Sequence, residues 1–234
     1  MVSEPNVAAA QSSRAEWRVV VGGEETTAVF EPAETGEQGI VFVCAHGAGG
    51  SMNDRGMLAT AKTLRSRGIG VVRFNFLYKE KGSGRPDPMP RLKDCVNAVV
   101  VRVREELQPK TLIIGGRSIG GRAASMLAAD GFECDGLLLL AYPLHPAGLP
   151  EKLRDAHLPA IRVPVICFSG TRDPLCRRDL MEAALKTVNT EWEMHWLEGA
   201  DHSFHVLKSS GRTDAEVLVE IGQSAQSWAA RLGQ

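Results

Sequence analysis

Residues 111–129 read TLIIGGRSIGGRAASMLAA, and this stretch decides the fold. Thr111–Ile114 has the composition of a short buried strand, and the small apolar run from Ser118 to Ala129 is suited to a helix packed tightly on a sheet. Between them Gly115, Gly116, Gly120 and Gly121 crowd round one serine. The central pentapeptide, Gly116-Arg117-Ser118-Ile119-Gly120, matches G-x-S-x-G. As a bare string this pattern is weak, because glycine and serine are common. The strand before it and the helix after it give it weight: a sharp strand-to-helix turn lifts a serine hydroxyl clear of the sheet, and backbone segments then meet too closely for side chains at the glycines. The plainer alternative is a Gly-rich turn that only packs or binds phosphate. Against it, neither residues 115–121 nor the Gly-rich loop 46–50 fits G-x-G-x-x-G after the first strand, and the loop 46–50 lacks the G-K-[ST] ending of a phosphate loop.

Outward from this stretch, short apolar runs alternate with longer periodic ones. Trp17–Val21 and Thr26–Phe30 flank Gly22-Gly23 and predict a hairpin. Ile40–Ala45 predicts a buried strand, Met57, Leu58, Ala61 and Leu64 recur at helical spacing with Gly68 as a stop, and Gly70–Phe74 is the next strand. Asn75 to Pro90, rich in Gly, Pro and charge, reads as a long exposed loop. Leu92, Cys95, Val96, Val99, Val103 and Leu107 then mark one face of a helix. Downstream, Gly136–Ala141 predicts a strand, followed by an excursion from Tyr142 to Val163 that carries four prolines. Val165–Ser169, Leu180–Val188 and Trp192–Leu197 read as strand, helix and strand. Thr213 with Glu216 forms a capping-box pattern that opens a last helix with Val217, Leu218, Ile221, Ala225, Trp228 and Leu232 on its apolar face. Strands alternating with helices predict an α/β fold: a mostly parallel twisted sheet with helices on both faces. Residues 1–16 are expected to form a flexible tail and residues 17–234 a single domain with a minimal cap.

In such sheets the working loops lie beyond the carboxyl ends of the strands. A serine hydroxyl is a poor nucleophile at neutral pH and needs a base. His202 follows the strand Trp192–Leu197, within Gly199-Ala200-Asp201-His202-Ser203-Phe204, and is the candidate. His46, His145, His157, His195 and His205 fit worse by position. The acid that orients the base should follow a strand between Ser118 and His202. Asp173, in Gly170-Thr171-Arg172-Asp173-Pro174, does so directly; Glu151 is the runner-up, and Asp201 adjoins His202 too closely for its side chain to meet the ring. Acyl transfer also needs donors for a developing oxyanion. The Gly-rich loop His46-Gly47-Ala48-Gly49-Gly50 follows Ile40–Ala45, so the backbone N–H groups of Ala48 and Ile119 are the candidates. His46, Gly49, Arg117, Tyr142, His145 and Phe204 are expected to ring the pocket, each beside a strand end or a triad member.

The segments AHGAGGSMN, GGRSIGGRAASM, AYPLHPAGLPEKLR, GTRDPL and GADHSF, in this order, resemble one branch of the α/β-hydrolase superfamily. It is the dienelactone-hydrolase-like group that also includes a testis-expressed protein and a subunit of a histone-acetylating complex. The resemblance runs from about Ile40 to the C-terminus. It implies Ser118, Asp173 and His202 as a catalytic triad and the HGAGG loop as the oxyanion side. The nucleophile here is serine, where the better-known dienelactone hydrolases carry cysteine.

The expectation is therefore a serine hydrolase, in the carboxylesterase, thioesterase or dienelactone-hydrolase-like range, acting on a small soluble ester or thioester. The alternatives are a non-catalytic interaction domain that kept the turn, or a peptidase on the same fold. A net charge of −1 argues against nucleic acid as main partner. No apolar run approaches the ~18 residues of a membrane span, and no secretory signal opens the chain. The five cysteines, odd in number and without C-x-x-C, suggest neither a disulfide framework nor zinc and suit a reducing, cytoplasmic setting. No metal or organic cofactor is implied, and a protein partner or homo-oligomer leaves no legible signature. Lys79, Lys81 and Arg85 could draw anions toward one edge of the pocket.

Overall fold

Alternating apolar side chains divide the central strands between two cores. The computed structural model describes residues 13–36 and 39–232. Its strands are β1 (Ala15–Val21), β2 (Glu24–Glu31), β3 (Ile40–Ala45), β4 (Gly70–Phe74), β5 (Thr111–Arg117), β6 (Gly136–Leu140), β7 (Val165–Gly170) and β8 (Trp192–Leu197). Its α-helices are α1 (Arg55–Arg65), α2 (Leu77–Glu80), α3 (Met89–Leu107), α4 (Ile119–Ala129), α5 (Arg178–Leu185) and α6 (Asp214–Ala229). The strands form one eight-stranded sheet in the order β1-β2-β4-β3-β5-β6-β7-β8. The β1–β2 hairpin is antiparallel and β2 meets β4 antiparallel, while every pairing from β4 through β8 is parallel.

The strands buried on both faces read as continuous apolar runs because successive side chains point to opposite sides. Val41, Val43, Leu137, Leu139, Val165 and Cys167 face a core shared with α3, α4 and α5. Their neighbours Phe42, Cys44, Leu138, Leu140, Ile166 and Phe168 face a second core under α1 and α6. Helix α6 begins as its sequence predicts: the Glu216 N–H donates to the Thr213 hydroxyl oxygen, and the Glu216 carboxylate accepts from the Thr213 N–H at 2.7 Å. All five cysteines are free, and burial pushes the thiols of Cys44 and Cys95 up to about 12.

Two expectations need correction. Strand β1 starts at Ala15, inside the expected tail, because its residues pair with β2 from Ala15↔Phe30 onward; residues 1–12 lie outside the described residues. The stretch from Asn75 to Pro90 is not simply an exposed loop. It contains α2, and Phe76, Leu77 and Tyr78 are buried. This short apolar triplet packs beneath the Gly-rich loop after β3, with the Phe76 ring 4.9 Å from His46 and 5.3 Å from Phe74. The excursion after β6 builds no separate lid. Tyr142, Leu144, Leu158 and Ile161 are buried in the α3–α4–α5 core, which folds the segment back onto the domain.

Candidate active site

Ser118 occupies the single position between the end of β5 and the start of α4, with φ 50 and ψ −121. A residue with a β-carbon is strained there, by about 1–3 kcal/mol, and keeps the conformation only when its surroundings impose it. They do so here. The Ser118 N–H donates to the Leu140 carbonyl at 2.8 Å, and the Ser118 carbonyl accepts from the Arg122 N–H at 3.0 Å. The glycines permit the approach of β3, β5 and α4. A β-carbon on Gly116 would stand 2.1 Å from the Ala45 carbonyl oxygen, and one on Gly120 would stand 2.5 Å from that of His46.

The structure brings Ser118, His202 and Asp173 together. His202 Nδ1 lies 2.7 Å from Asp173 Oδ2, and its Nε2 lies 3.0 Å from Ser118 Oγ. A carboxylate oxygen only accepts, so Nδ1 carries the proton and Nε2 offers its lone pair to the serine hydroxyl. The Asp173 side chain is fully buried, whereas that of His202 is 24% exposed. Asp173 Oδ1 also accepts from the Leu175 N–H at 2.8 Å, which fixes the carboxylate plane. Glu151 is exposed, and the His202 Nδ1 position is taken by Asp173. Asp201 turns into its own loop, where Oδ1 accepts from the N–H groups of Ser203 at 2.7 Å and His205 at 3.1 Å.

The loop of residues 46–50 runs against the serine: a β-carbon on Gly47 would lie 3.6 Å from Ser118 Cβ. Ile119 opens α4, so its N–H belongs to the first turn, whose donors have no intrahelical acceptor. Beside this loop a cleft of about 600 Å³ opens, with Ala48, Asp54, Met57, Arg117 and Phe204 among its walls. Gly49 is exposed at the loop tip.

Three expected rim residues are buried instead. His46 accepts the Phe76 N–H on Nε2 at 3.1 Å, and burial holds its imidazole below the usual histidine range. His145 accepts the Arg177 N–H on Nε2 at 3.2 Å. Tyr142 donates its hydroxyl to the Arg154 carbonyl at 2.7 Å. Each follows a strand end, but each turns under the loops and completes backbone hydrogen bonding there. Arg117 and Phe204 do line the cleft. Arg117 Nη2 donates to the His202 carbonyl at 2.5 Å, and its guanidinium lies 5.1 Å from the Phe204 ring centroid. Arg117 therefore props the loop that carries His202. Burial pulls its pKa down, and the charges of Asp173 and Asp201 oppose that shift.

Sequence reading missed Gly170. A β-carbon there would stand 2.1 Å from the Ala200 carbonyl oxygen, so this glycine lets the Asp173 and His202 loops converge. Its one sequence signal was a glycine at the end of a strand. Among the described residues, no group of three or more His, Cys, Asp and Glu side chains is placed to hold a metal ion. No helix among them is long and apolar enough to cross a membrane.

Comparison with known proteins agrees with this architecture. The chain is similar to an α/β serine hydrolase homologue from Coxiella burnetii, with TM-score 0.74 and 21% identity, over 90% of this chain and 96% of that one. An α/β serine hydrolase without a lid from Xanthomonas campestris gives TM-score 0.74 and 20% identity, over 95% and 97% of the two chains. A dienelactone hydrolase from Anabaena variabilis gives 0.73 and 21%, over 95% and 99%. At such identities the likeness is one of fold. The curated protein YfhR of Escherichia coli O157:H7, described as uncharacterized, is 33% identical over 106 residues, which cover 44% of this chain and only 36% of that protein's length. A family described as alpha/beta hydrolase domain matches residues 38–230. With the match spanning most of its length, the chain belongs to the alpha/beta hydrolase domain family.

Proposed function

We propose that this protein is a serine hydrolase that cleaves small soluble esters or thioesters through an acyl-enzyme on Ser118. The observation that carries the reading is the unbroken hydrogen-bond chain from Ser118 Oγ through the His202 ring to the buried Asp173 carboxylate. His202 Nε2 takes the hydroxyl proton as Oγ attacks the substrate carbonyl, and Asp173 stabilises the imidazolium that forms. The N–H groups of Ala48 and Ile119 receive the oxyanion. His202 then protonates the departing alcohol or thiol, activates water, and the acid is released from Ser118. The motif resemblance to the dienelactone-hydrolase-like branch supports the same roles.

A fluorophosphonate probe tests this reading directly. Labelling of the wild-type protein at neutral pH, and its loss in Ser118→Ala, is the expected result. Folded wild-type protein that takes no label would favour the interaction-domain alternative, which some members of that branch make a real one. A peptidase would show itself by turning over peptides faster than esters in a side-by-side profile.

The cleft supports small substrates over lipids. It is open, without a lid, and its walls mix Asp54 and Arg117 with Met57 and Phe204. Among p-nitrophenyl esters, kcat/KM is expected to peak at short acyl chains. A value still rising past about ten carbons would require an apolar groove larger than this one. Steering by the basic loop is weaker than its sequence suggests, because Lys81 pairs with Glu24. Lys79 reaches the Gly49 carbonyl at 3.4 Å.

A further inference from the structure

The Gly-rich loop after β3 is tied down at both ends. At its far end the Met52 carbonyl accepts from the Arg73 guanidinium, and the Met52 N–H donates to Asn75 Oδ1 at 2.9 Å. At its near end stands His46, whose ring is buried. The Phe76 N–H can only donate, so His46 Nε2, 3.1 Å away, carries a lone pair. Burial keeps the ring neutral; the Lys79 charge acts in the same direction, and the Gly47 carbonyl and the Asp54 charge oppose it. In a neutral imidazole with Nε2 accepting, the proton sits on Nδ1. His46 Nδ1 lies 2.8 Å from the Gly47 carbonyl oxygen and therefore donates to it.

The same carbonyl accepts from the Gly50 N–H at 3.2 Å and lies 3.4 Å from the Tyr78 hydroxyl. A peptide unit is planar and trans, so its N–H points opposite to its C=O. Holding the Gly47 carbonyl toward His46 and Tyr78 turns the Ala48 N–H of that unit the other way. Ala48 is exposed, and its N–H meets no acceptor among the described residues. The loop stands against the nucleophile, since a β-carbon on Gly47 would lie 3.6 Å from Ser118 Cβ. Gly47, Gly49 and Gly50 give this loop little stiffness of its own. Half a turn of the 47–48 peptide would exchange the N–H for a carbonyl oxygen, which repels an oxyanion.

We infer that His46 is the positioning residue of the oxyanion hole. By donating from Nδ1 to the Gly47 carbonyl and accepting the Phe76 N–H on Nε2, it ties the loop to the start of α2 and keeps the Ala48 N–H turned toward the carbonyl that Ser118 attacks. It touches no substrate and acts through one peptide plane.

This inference rests on the serine-hydrolase reading, and the test separates the two. Two variants divide the work of the ring. In His46→Asn the amide nitrogen takes the place of Nδ1 and can still donate to Gly47, while the Phe76 N–H loses its acceptor. In His46→Gln the amide reaches the place of Nε2 and can still accept from Phe76, while the Gly47 carbonyl is released. Each leaves one buried backbone group without its partner, so the two should lose similar stability. Their rates should part. With p-nitrophenyl butyrate, His46→Gln is expected to lose about 10- to 100-fold in kcat with KM within about twofold of wild type, because the oxyanion exists only in the transition state. His46→Asn should keep kcat within about threefold. Equal losses in the two variants, losses that follow Tm, or a raised KM at unchanged kcat would mean a merely structural histidine and overturn the inference. Nitrogen NMR of the wild-type imidazole needs no variant: the proton must be on Nδ1, and a proton on Nε2 overturns the inference even where neither variant folds. If wild type cleaves no ester, the hydrolase reading fails, and crystal structures of wild type and His46→Gln decide the positioning role alone. A 47–48 peptide fixed in wild type and turned over or disordered in the variant sustains it; an unchanged peptide overturns it.

Discussion

Ser118→Ala is expected to lower kcat by about 10⁴-fold or more while the protein stays folded, and no acyl-enzyme should be trapped in single-turnover mass measurements. Alanine keeps the β-carbon already accommodated at φ 50, so the turn survives and only the nucleophile goes. His202→Ala should cost on the order of 10³-fold or more. Asp173→Asn should fall in a similar range, for a different reason. An amide can present its NH₂ to Nδ1, which drives the proton onto Nε2 and removes the lone pair that faces Ser118 Oγ at 3.0 Å. Because the residues act as a unit, the Ser118→Ala, His202→Ala double variant should be little worse than either single one. Near wild-type turnover in Asp173→Asn, with loss in Glu151→Gln, would move the acid to the excursion.

Gly116→Val and Gly120→Val should cost the fold itself. A β-carbon at Gly116 would sit 2.1 Å from the Ala45 carbonyl oxygen, and at Gly120 2.5 Å from that of His46; both obstacles are backbone of the central sheet and its adjoining loop. They cannot yield without parting β3 from β5. The expected loss exceeds about 4 kcal/mol, a large share of the roughly 5–15 kcal/mol that holds a domain together. Insoluble protein, or a greatly lowered urea midpoint, is the anticipated readout. Gly49→Ala is the control: Gly49 has φ 71 but nothing within 4 Å of an added β-carbon, so only the conformational cost of about 1–2 kcal/mol applies. Soluble, fully active Gly116→Val would remove the steric argument for the turn.

Much of this was legible in the sequence because it is written in local periods. The apolar runs at 40–45, 136–140 and 165–170 form strands buried on both faces, and the spacing from Leu92 to Leu107 forms a helix face. The glycines round Ser118 announced a turn with no room for side chains, and the residues of the triad each followed a strand. The segment from Asn75 to Pro90 was misread because Phe76-Leu77-Tyr78 is too short to show a period among glycines and prolines, although burial makes it helical. The tertiary structure alone decided which side chains beyond the strand ends face the cleft. Tyr142, His145 and His46 turned under, where their side chains partner the Arg154 carbonyl and the N–H groups of Arg177 and Phe76. It alone paired Arg117 with a carbonyl 85 residues away and left Arg122 with no acceptor for its buried Nε. Side-chain period and turn chemistry act within a few residues, so the sequence by itself determined the sheet, its helices and the serine turn. Partners set by burial across the chain depend on how the sheet is ordered, which local sequence does not specify.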